Sequence, residues 1–112
     1  MQIEHDLTGS GPSLVLALTG ELDIATAEHA GAALLAAVEM PGLAQLAIDL
    51  AAVPFIDSTG VTQLIRAVGR GKVRGVTVKV INPRPAHRYV FNVLQLNPLL
   101  GVEDEAGAAA AV

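Results

Sequence analysis

The chain has 112 residues, of which 52% are hydrophobic and none is Cys. This length fits one domain, and the hydrophobic fraction is sufficient for a core, which excludes wholesale disorder. The lack of Cys excludes disulfides and thiol catalysis. No apolar run approaches the roughly 20 residues that span a bilayer, and the N-terminus lacks a signal-peptide pattern, so we expect a cytoplasmic protein without membrane insertion.

Charge is divided unevenly along the chain, although the net value is only -4. Residues 1–60 hold eight acids and no Lys or Arg, residues 66–88 hold all seven bases, and residues 103–105 hold three further acids. This asymmetry either serves solubility or steers association with a charged partner. The net negative charge, the three scattered aromatic residues and the lack of a binding motif argue against direct nucleic-acid binding.

The first part of the chain predicts two strands and a helix. Residues 2–7 are a weak strand candidate, and residues 14–19 alternate as a strand does. A helical period begins at Ala27, with Thr26 or Asp23 available to cap the helix. The predicted buried face of this helix consists of Ala27, Gly31, Leu34, Leu35 and Val38.

Strands and helices then alternate. Residues 46–50 and 76–80 have strand periodicity, and the segment between them predicts an amphipathic helix that Gly69 and Gly71 weaken at its end. Its apolar stripe comprises Val61, Leu64, Ile65 and Val68.

A third helix is predicted to start at Asn82-Pro83, because Asn is a good cap and Pro is tolerated at the first helical position. Its predicted inner stripe is Ala86, Val90, Val93 and Leu94, and a short last strand is predicted over Leu99–Val102. Alternation after an initial hairpin requires crossover connections, so we predict an α/β domain with a mixed, mostly parallel sheet of four to five strands and three to four helices. The domain is expected to cover residues 1–105, followed by an Ala-rich tail over 106–112.

The segment FIDSTG, residues 55–60, lies between the central strand and the second helix. Functional sites of open α/β sheets collect at this edge. Either Asp57 or Ser58 can cap the helix, which contributes about 1 kcal/mol. Alternatively, Ser58 can accept a phosphate of roughly -1.5 to -2 charge, which the helix dipole favours and Asp57 opposes. On a helical wheel Ser58 lies near the border of the buried stripe, and Thr59 points further toward solvent.

No residue pattern indicates catalysis, a metal or a cofactor. The spacings of His5, His29 and His87 assign no base to Ser58, and D-S-T-G differs from the G-x-S-x-G nucleophile elbow. There is no His, Cys and carboxylate cluster of the kind that binds metals, and the GSGPS segment lacks the Lys of a P-loop. We therefore predict a non-enzyme, and we expect His29 to lie at the surface.

Three segments resemble the STAS domains, a family named for sulphate transporters and anti-sigma factor antagonists. Residues 20–27, GELDIATA, are similar to the family's G-x-L-D-x-x-T-A segment. Residues 48–60, IDLAAVPFIDSTG, are similar to its D-L-x-x-V-x-F-I-D-S-[ST]-G segment, and residues 80–96 to its third block. The likeness extends over about residues 2–102 and is strongest with the free-standing bacterial antagonists. It implies a small mixed sheet with helices packed mainly on one side.

The resemblance also implies a regulatory cycle. The unphosphorylated antagonist binds an anti-sigma factor that is also a serine kinase, and a sigma factor is released. The kinase phosphorylates the residue that matches Ser58, binding ends, and a phosphatase resets the protein. The residues implied at the partner surface are Asp23, Asp57, Ser58, Thr59, Gly60 and Thr62, where Val61-Thr62 replaces the family's frequent Leu-Gly. The alternative is a STAS domain in another complex, such as a lipid-transport ABC system or a nucleotide-sensing module.

Overall fold

Four strands and three helices alternate in the part of the chain that a computed structural model describes, residues 3–93, 95–96 and 100–101. This arrangement confirms the predicted α/β class. The elements are β1 (Glu4–Ser10), β2 (Ser13–Thr19), α1 (Ala27–Val38), β3 (Gln45–Ala52), α2 (Ser58–Arg74), β4 (Thr77–Ile81) and α3 (Pro85–Val93).

The strands form one mixed sheet in the order β1-β2-β3-β4. β1 and β2 are an antiparallel hairpin, whereas β2–β3 and β3–β4 are parallel pairs. The parallel pairs follow from the crossovers through α1 and α2, since a parallel connection must return to the same end of the sheet. The C-terminal ends of β2, β3 and β4 therefore lie at one edge, together with the starts of the helices.

The core lies between one face of the sheet and the helices. Side chains of a strand alternate between its two sides, so every second residue faces the helices. The register of the parallel pairs aligns the apolar residues of neighbouring strands on that face. At the end of α2 the helix approaches β4 so closely that a Cβ on Gly71 would lie 2.6 Å from the Val76 carbonyl oxygen. The buried residues of this face are Leu16, Leu18, Leu46, Ile48, Leu50, Val78 and Val80.

One predicted detail of α1 is wrong. Leu35, expected on the buried face of α1, is 38% exposed. The face of α1 that packs into the core contains Leu34 and Val38, and Leu35 lies outside it. Gly69 and Gly71, which have weak helix propensity, both lie inside α2, which continues to Arg74. Tertiary packing of α2 against β4 offsets the weak helix propensity of the two glycines.

The predicted start and inner stripe of α3 are also wrong. Asn82 adopts a left-handed φ of 54° instead of capping a helix, and its Nδ2 donates to Asp49 Oδ1 at 3.3 Å. The helix begins at Pro85. This start turns His87 and Phe91 inward. Of the predicted stripe, Ala86 and Val93 are exposed, Val90 is half-buried, and Leu94 lies outside the described residues.

The end of the chain is described only at a few positions. The Leu100 N–H donates to the Leu96 carbonyl at 2.9 Å, which is a helical contact, so the predicted strand is wrong at Leu100. The rest of that predicted strand and the predicted boundary at residues 105 and 106 lie outside the described residues, and the boundary remains a prediction. Within the described ranges, the structure contains no helix that is sufficiently long and apolar to traverse a membrane.

Candidate functional site

Two loops meet at the C-terminal edge of the sheet, and both approach the start of α2. The Leu22 N–H donates to the Phe55 carbonyl at 2.9 Å, and the Asp57 N–H donates to the Leu22 carbonyl at 3.2 Å. These bonds form an isolated parallel bridge between Leu22 and Ile56, whose side chains are both buried. The pairing of β2 with β3 is thus resumed beyond the strands and fixes the β2–α1 loop beside the β3–α2 loop.

Asp57 is the N-cap of α2, which resolves the choice between Asp57 and Ser58. Its backbone is extended, and its Oδ1 accepts hydrogen bonds from the N–H groups of Thr59 at 2.9 Å and Gly60 at 3.1 Å. Both N–H groups belong to the first helical turn, which has no intrahelical partners for them. The other oxygen, Oδ2, accepts a hydrogen bond from the Ile24 N–H at 3.2 Å. One carboxylate therefore joins the helix start to the neighbouring loop.

These donors stabilise the charged form of Asp57. The hydroxyl of Thr59 is the largest cause that lowers the pKa of this carboxyl, and the N–H groups of Gly60, Thr59 and Ile24 add to it, while partial desolvation opposes the shift. Hydrogen bonds donated to a carboxylate favour its ionised form. Asp57 consequently places a fixed negative charge beside Ser58 at neutral pH.

The three hydroxyls near the start of α2 differ in their surroundings. Thr59 is half-buried, and its Oγ1 donates to Asp57 Oδ1 at 2.5 Å, so the prediction that Thr59 points toward solvent is wrong. Thr62 is exposed, and its Oγ1 donates to the Ser58 carbonyl at 2.9 Å. Ser58 is exposed, and its hydroxyl has no hydrogen-bond partner in the described part of the chain. Of the three, Ser58 alone presents an uncommitted nucleophilic oxygen.

Gly60 is buried beneath the Leu22 segment. A Cβ at this position would lie 2.6 Å from the Leu22 carbonyl oxygen and 2.7 Å from Leu22 Cγ. Real side chains do not reach such distances, so the backbone of α2 can approach the β2–α1 loop only with Gly here. The structure therefore gives Gly60 a packing role, and its predicted contact with a partner remains a prediction.

Asp23 shapes its own loop. Its Oδ1 accepts from the N–H groups of Ala25 at 2.9 Å and Thr26 at 3.2 Å. Thr26 is 2% exposed, and its hydroxyl donates to the Glu21 carbonyl at 2.6 Å and accepts from the Asp23 N–H at 3.0 Å. Thr26 occupies the N-cap position of α1 without a side-chain cap bond. These contacts hold Ile24 at the tip of the loop.

Ile24 and Phe55, which the sequence analysis did not assign to the site, flank this edge. Ile24 is 79% exposed and Phe55 is 48% exposed, although both are large apolar residues. Phe55 directly precedes Ile56 of the Leu22–Ile56 bridge, and Ile24 lies two residues after Leu22 with its N–H bonded to Asp57, so the backbone at both positions is held in place. In the sequence, each is a large apolar residue in a loop next to a polar motif, and this position could have indicated it. Exposed apolar residues that cluster mark interaction sites.

His87 is buried behind the same edge. Its Nδ1 accepts from the Arg84 N–H at 3.1 Å, and its Nε2 has no hydrogen-bond partner among the described residues. Burial is the main cause that lowers the pKa of His87, followed by the charge of Arg84, and the Val53 backbone partly opposes the shift. The imidazole is therefore uncharged at neutral pH and lies close to the Val53 backbone, in the loop between β3 and α2.

The other two histidines are exposed, as predicted for His29. The rings of His5 and His29 lie with their centroids 5.9 Å apart. No group of three or more potential metal-ligating side chains occurs in the ranges that the structure describes.

Comparison with known proteins places this geometry in a family. A family model of the STAS domain matches residues 4–109. An anti-sigma factor antagonist from Mycobacterium paratuberculosis is 27% identical, with a TM-score of 0.78 over 89% of this chain and 84% of that chain. A search of curated proteins found no match.

Two structures of the anti-sigma factor antagonist SpoIIAA share the fold. The phosphorylated form, described as a Bacillus cell fate determinant, is 22% identical, with a TM-score of 0.69 over 97% of this chain and 100% of that chain. The unphosphorylated form is 23% identical, with a TM-score of 0.64 over 80% of this chain and 82% of that chain. The family match extends over nearly the whole sequence and includes the FIDSTG segment at the start of α2. The chain therefore belongs to the STAS domain family.

Proposed function

We propose that this protein is an anti-sigma factor antagonist controlled by phosphorylation of Ser58. In its unphosphorylated form it binds an anti-sigma factor with serine kinase activity, and the sigma factor held by that protein is released. The kinase transfers the γ-phosphoryl group of ATP to Ser58 Oγ, ADP leaves, and the modified antagonist dissociates. A phosphatase removes the phosphate and restores binding.

The observation that carries this proposal is the exposed hydroxyl of Ser58, which has no partner among the described residues, whereas the hydroxyls of Thr59 and Thr62 are both hydrogen-bonded. Thr59 donates to Asp57, and Thr62 donates to the Ser58 carbonyl, whereas Ser58 Oγ is open to solvent. A protein substrate must deliver its hydroxyl to an active site on another molecule. An exposed residue at the first position of a well-capped helix meets this requirement without unfolding.

The phosphate is expected to change binding and not the fold. It adds roughly -1.5 to -2 charge at a helix N-terminus, where the dipole favours an anion by about 0.3–1 kcal/mol. The Asp57 carboxylate opposes it, so the two local effects nearly cancel. A dianion at the centre of a contact surface must instead be desolvated or repelled when the partner docks, and this penalty falls on the complex alone.

The contact surface that we propose combines Asp23, Asp57, Ser58, Thr59 and Thr62, with Gly60 as the close-packed backbone that positions them. Ile24 and Phe55 provide exposed apolar area on the two loops. Apolar anchors surrounded by polar groups are typical of the centres of protein interfaces. In this account the protein acts in the cytoplasm as a binding partner and substrate, without a catalytic site or cofactor of its own.

The experiment is to incubate the protein with candidate anti-sigma factor kinases and ATP, followed by intact mass measurement. We expect one added phosphate in the wild type and none in Ser58→Ala. A phosphate that persists in Ser58→Ala would contradict the site assignment. Copurification with membrane ATPase subunits, without phosphorylation by any kinase tested, would favour the alternative role in a lipid-transport complex.

A further inference from the structure

A groove runs along the outer side of the helical layer, between α1 and α2. It encloses about 480 Å³ and begins at Ile24 and Thr59, beside the start of α2. It continues for about two turns along the helices, to Leu35 on α1 and Arg66 on α2. The groove is therefore continuous with the edge that carries Ser58.

The groove is lined on the α1 side by small and apolar residues. Ala27, Gly31 and Ala32 have little or no side chain, and the side chain of Gln63 on α2 lies directly against Gly31. Ile24 and Leu35, near its two ends, are 79% and 38% exposed. A shallow groove of this length, with apolar residues at its ends and polar ones along the α2 side, fits an amphipathic helix, which docks through residues one turn apart.

Opposite charges stand on the two walls. Glu28 lines the α1 side and Arg66 lines the α2 side, and neither forms an ion pair within the part of the chain that the structure describes. Further along, Glu39, which follows the last residue of α1, already pairs with Arg70 and Arg74 of α2. Glu28 and Arg66 are thus available to an occupant, which needs a basic side chain on one flank and an acidic one on the other.

We propose that this groove binds an amphipathic helix of the anti-sigma factor, an inference that rests on the proposed function. The apolar face of that helix covers Ile24 and Leu35, a basic side chain meets Glu28, and an acidic one meets Arg66. The groove lies beside the phosphorylation site: the Ile24 N–H and the Thr59 hydroxyl, from two residues that line its end, both donate to Asp57, the residue before Ser58. A phosphate on Ser58 therefore stands at the end of the groove, where the docked helix passes.

The test measures the affinity of the unphosphorylated protein for its anti-sigma factor by isothermal titration calorimetry. Arg66→Glu reverses one wall charge, and Leu35→Ser removes an apolar contact. Lys72→Glu and Val73→Ser are matched controls, because both residues are exposed on α2 outside the groove lining. We expect Kd to rise about tenfold or more for each groove variant, a loss of at least 1.4 kcal/mol, and less than about twofold for the controls.

A second measurement uses the lack of Cys in the chain. A photo-crosslinker on Ala32→Cys should attach to a helical segment of the anti-sigma factor, whereas one on Val73→Cys should not. Equal affinities for wild type and both groove variants would overturn the groove proposal while leaving the proposed function intact. A wild-type dimer that Arg66→Glu dissociates, with partner affinity unchanged, would overturn it in favour of a second copy as the occupant. Failure of the wild type to bind any anti-sigma factor would overturn the proposed function itself.

Discussion

The carboxylate of Asp57 and the backbone N–H of Ile24 are joined by a hydrogen bond of 3.2 Å across 33 positions of sequence. The same carboxylate caps α2 and accepts the Thr59 hydroxyl. Asp57 therefore holds the neighbouring loop in position and caps the start of α2. It also engages the hydroxyl of Thr59, which lies next to Ser58 and would otherwise be a second open hydroxyl.

Asp57→Ala should make Thr59 a second phosphorylation site. Without its acceptor, the Thr59 hydroxyl is released beside Ser58, and the kinase then meets two open hydroxyls. Peptide mapping by mass spectrometry should find phosphate on both residues, whereas Asp57→Asn, which retains a side-chain acceptor, should remain modified at Ser58 alone. Phosphate confined to Ser58 in Asp57→Ala would show that the hydrogen bond to Asp57 does not protect Thr59.

The same variant should lose stability through the lost cap. Removal of an N-cap acceptor costs about 0.5–2 kcal/mol, so we expect Asp57→Ala to unfold at lower urea concentration by roughly that free energy. Asp57→Asn is the control, since Asn caps helices about as well as Asp. If the two variants unfold at the same midpoint, the cap is not the source of the loss.

Gly60 and Gly69 lie on the same helix, but substitution of each by Ala should change stability in opposite directions. A Cβ on Gly60 would lie 2.6 Å from the Leu22 carbonyl oxygen, whereas one on Gly69 would meet nothing within 4 Å. Gly60→Ala should lower the free energy of unfolding by about 1–3 kcal/mol, as overpacking does. Gly69→Ala should raise it by up to about 1 kcal/mol, because Ala favours the helix. Equal effects of the two changes would contradict the close approach of α2 to the β2–α1 loop.

His87 should make stability depend on pH in the mildly acidic range. Burial first, and then Arg84, lower the pKa of His87 below its ordinary 6.5. As pH falls, the unfolded chain takes up this proton before the folded protein does. Stability is thus fully present above about pH 6.5 and falls as the pH decreases toward the folded pKa, by at most about 1.4 kcal/mol per pH unit for one proton.

The measurement is urea unfolding from pH 8 to pH 5 for the wild type, His87→Leu and the exposed control His29→Leu. The lowered pKa of Asp57 acts below its ordinary 3.8, outside this range. His87→Leu should lose the pH dependence even if its overall stability changes, since the Arg84 N–H loses its acceptor. A wild-type slope retained in His87→Leu would exclude His87 as its origin.

Periodicity along the chain was sufficient to predict β1 to β4, α1 and α2, and the place of Ser58 at a helix start, although not to exclude a strand at Leu100. Each of these depends on neighbouring residues, which the sequence displays directly. The errors arise from contacts across the fold. Asn82 has the sequence of a cap but is turned to a left-handed conformation where its side chain meets Asp49, 33 positions away.

The hydrogen bonds of the site could not be predicted from the sequence for the same reason. That Asp57 accepts the Thr59 hydroxyl, and that Ile24 donates to the same carboxylate, depends on how closely two loops approach through the Leu22–Ile56 bridge. The exposure of Leu35 likewise depends on which direction of α1 faces the sheet. The spacing of apolar residues indicates that a helix is amphipathic. It does not determine which residues at the border of the apolar face are covered by a neighbouring helix and which stay exposed.

The central claim is that phosphate on Ser58 ends partner binding. The most direct measurement is the affinity of one anti-sigma factor for the unphosphorylated protein and for protein fully phosphorylated by its kinase, with thermal unfolding of both forms alongside. We expect Kd to increase about tenfold or more on phosphorylation, with little change in Tm. Equal affinity of the two forms, with the phosphate mapped to Ser58, would contradict it.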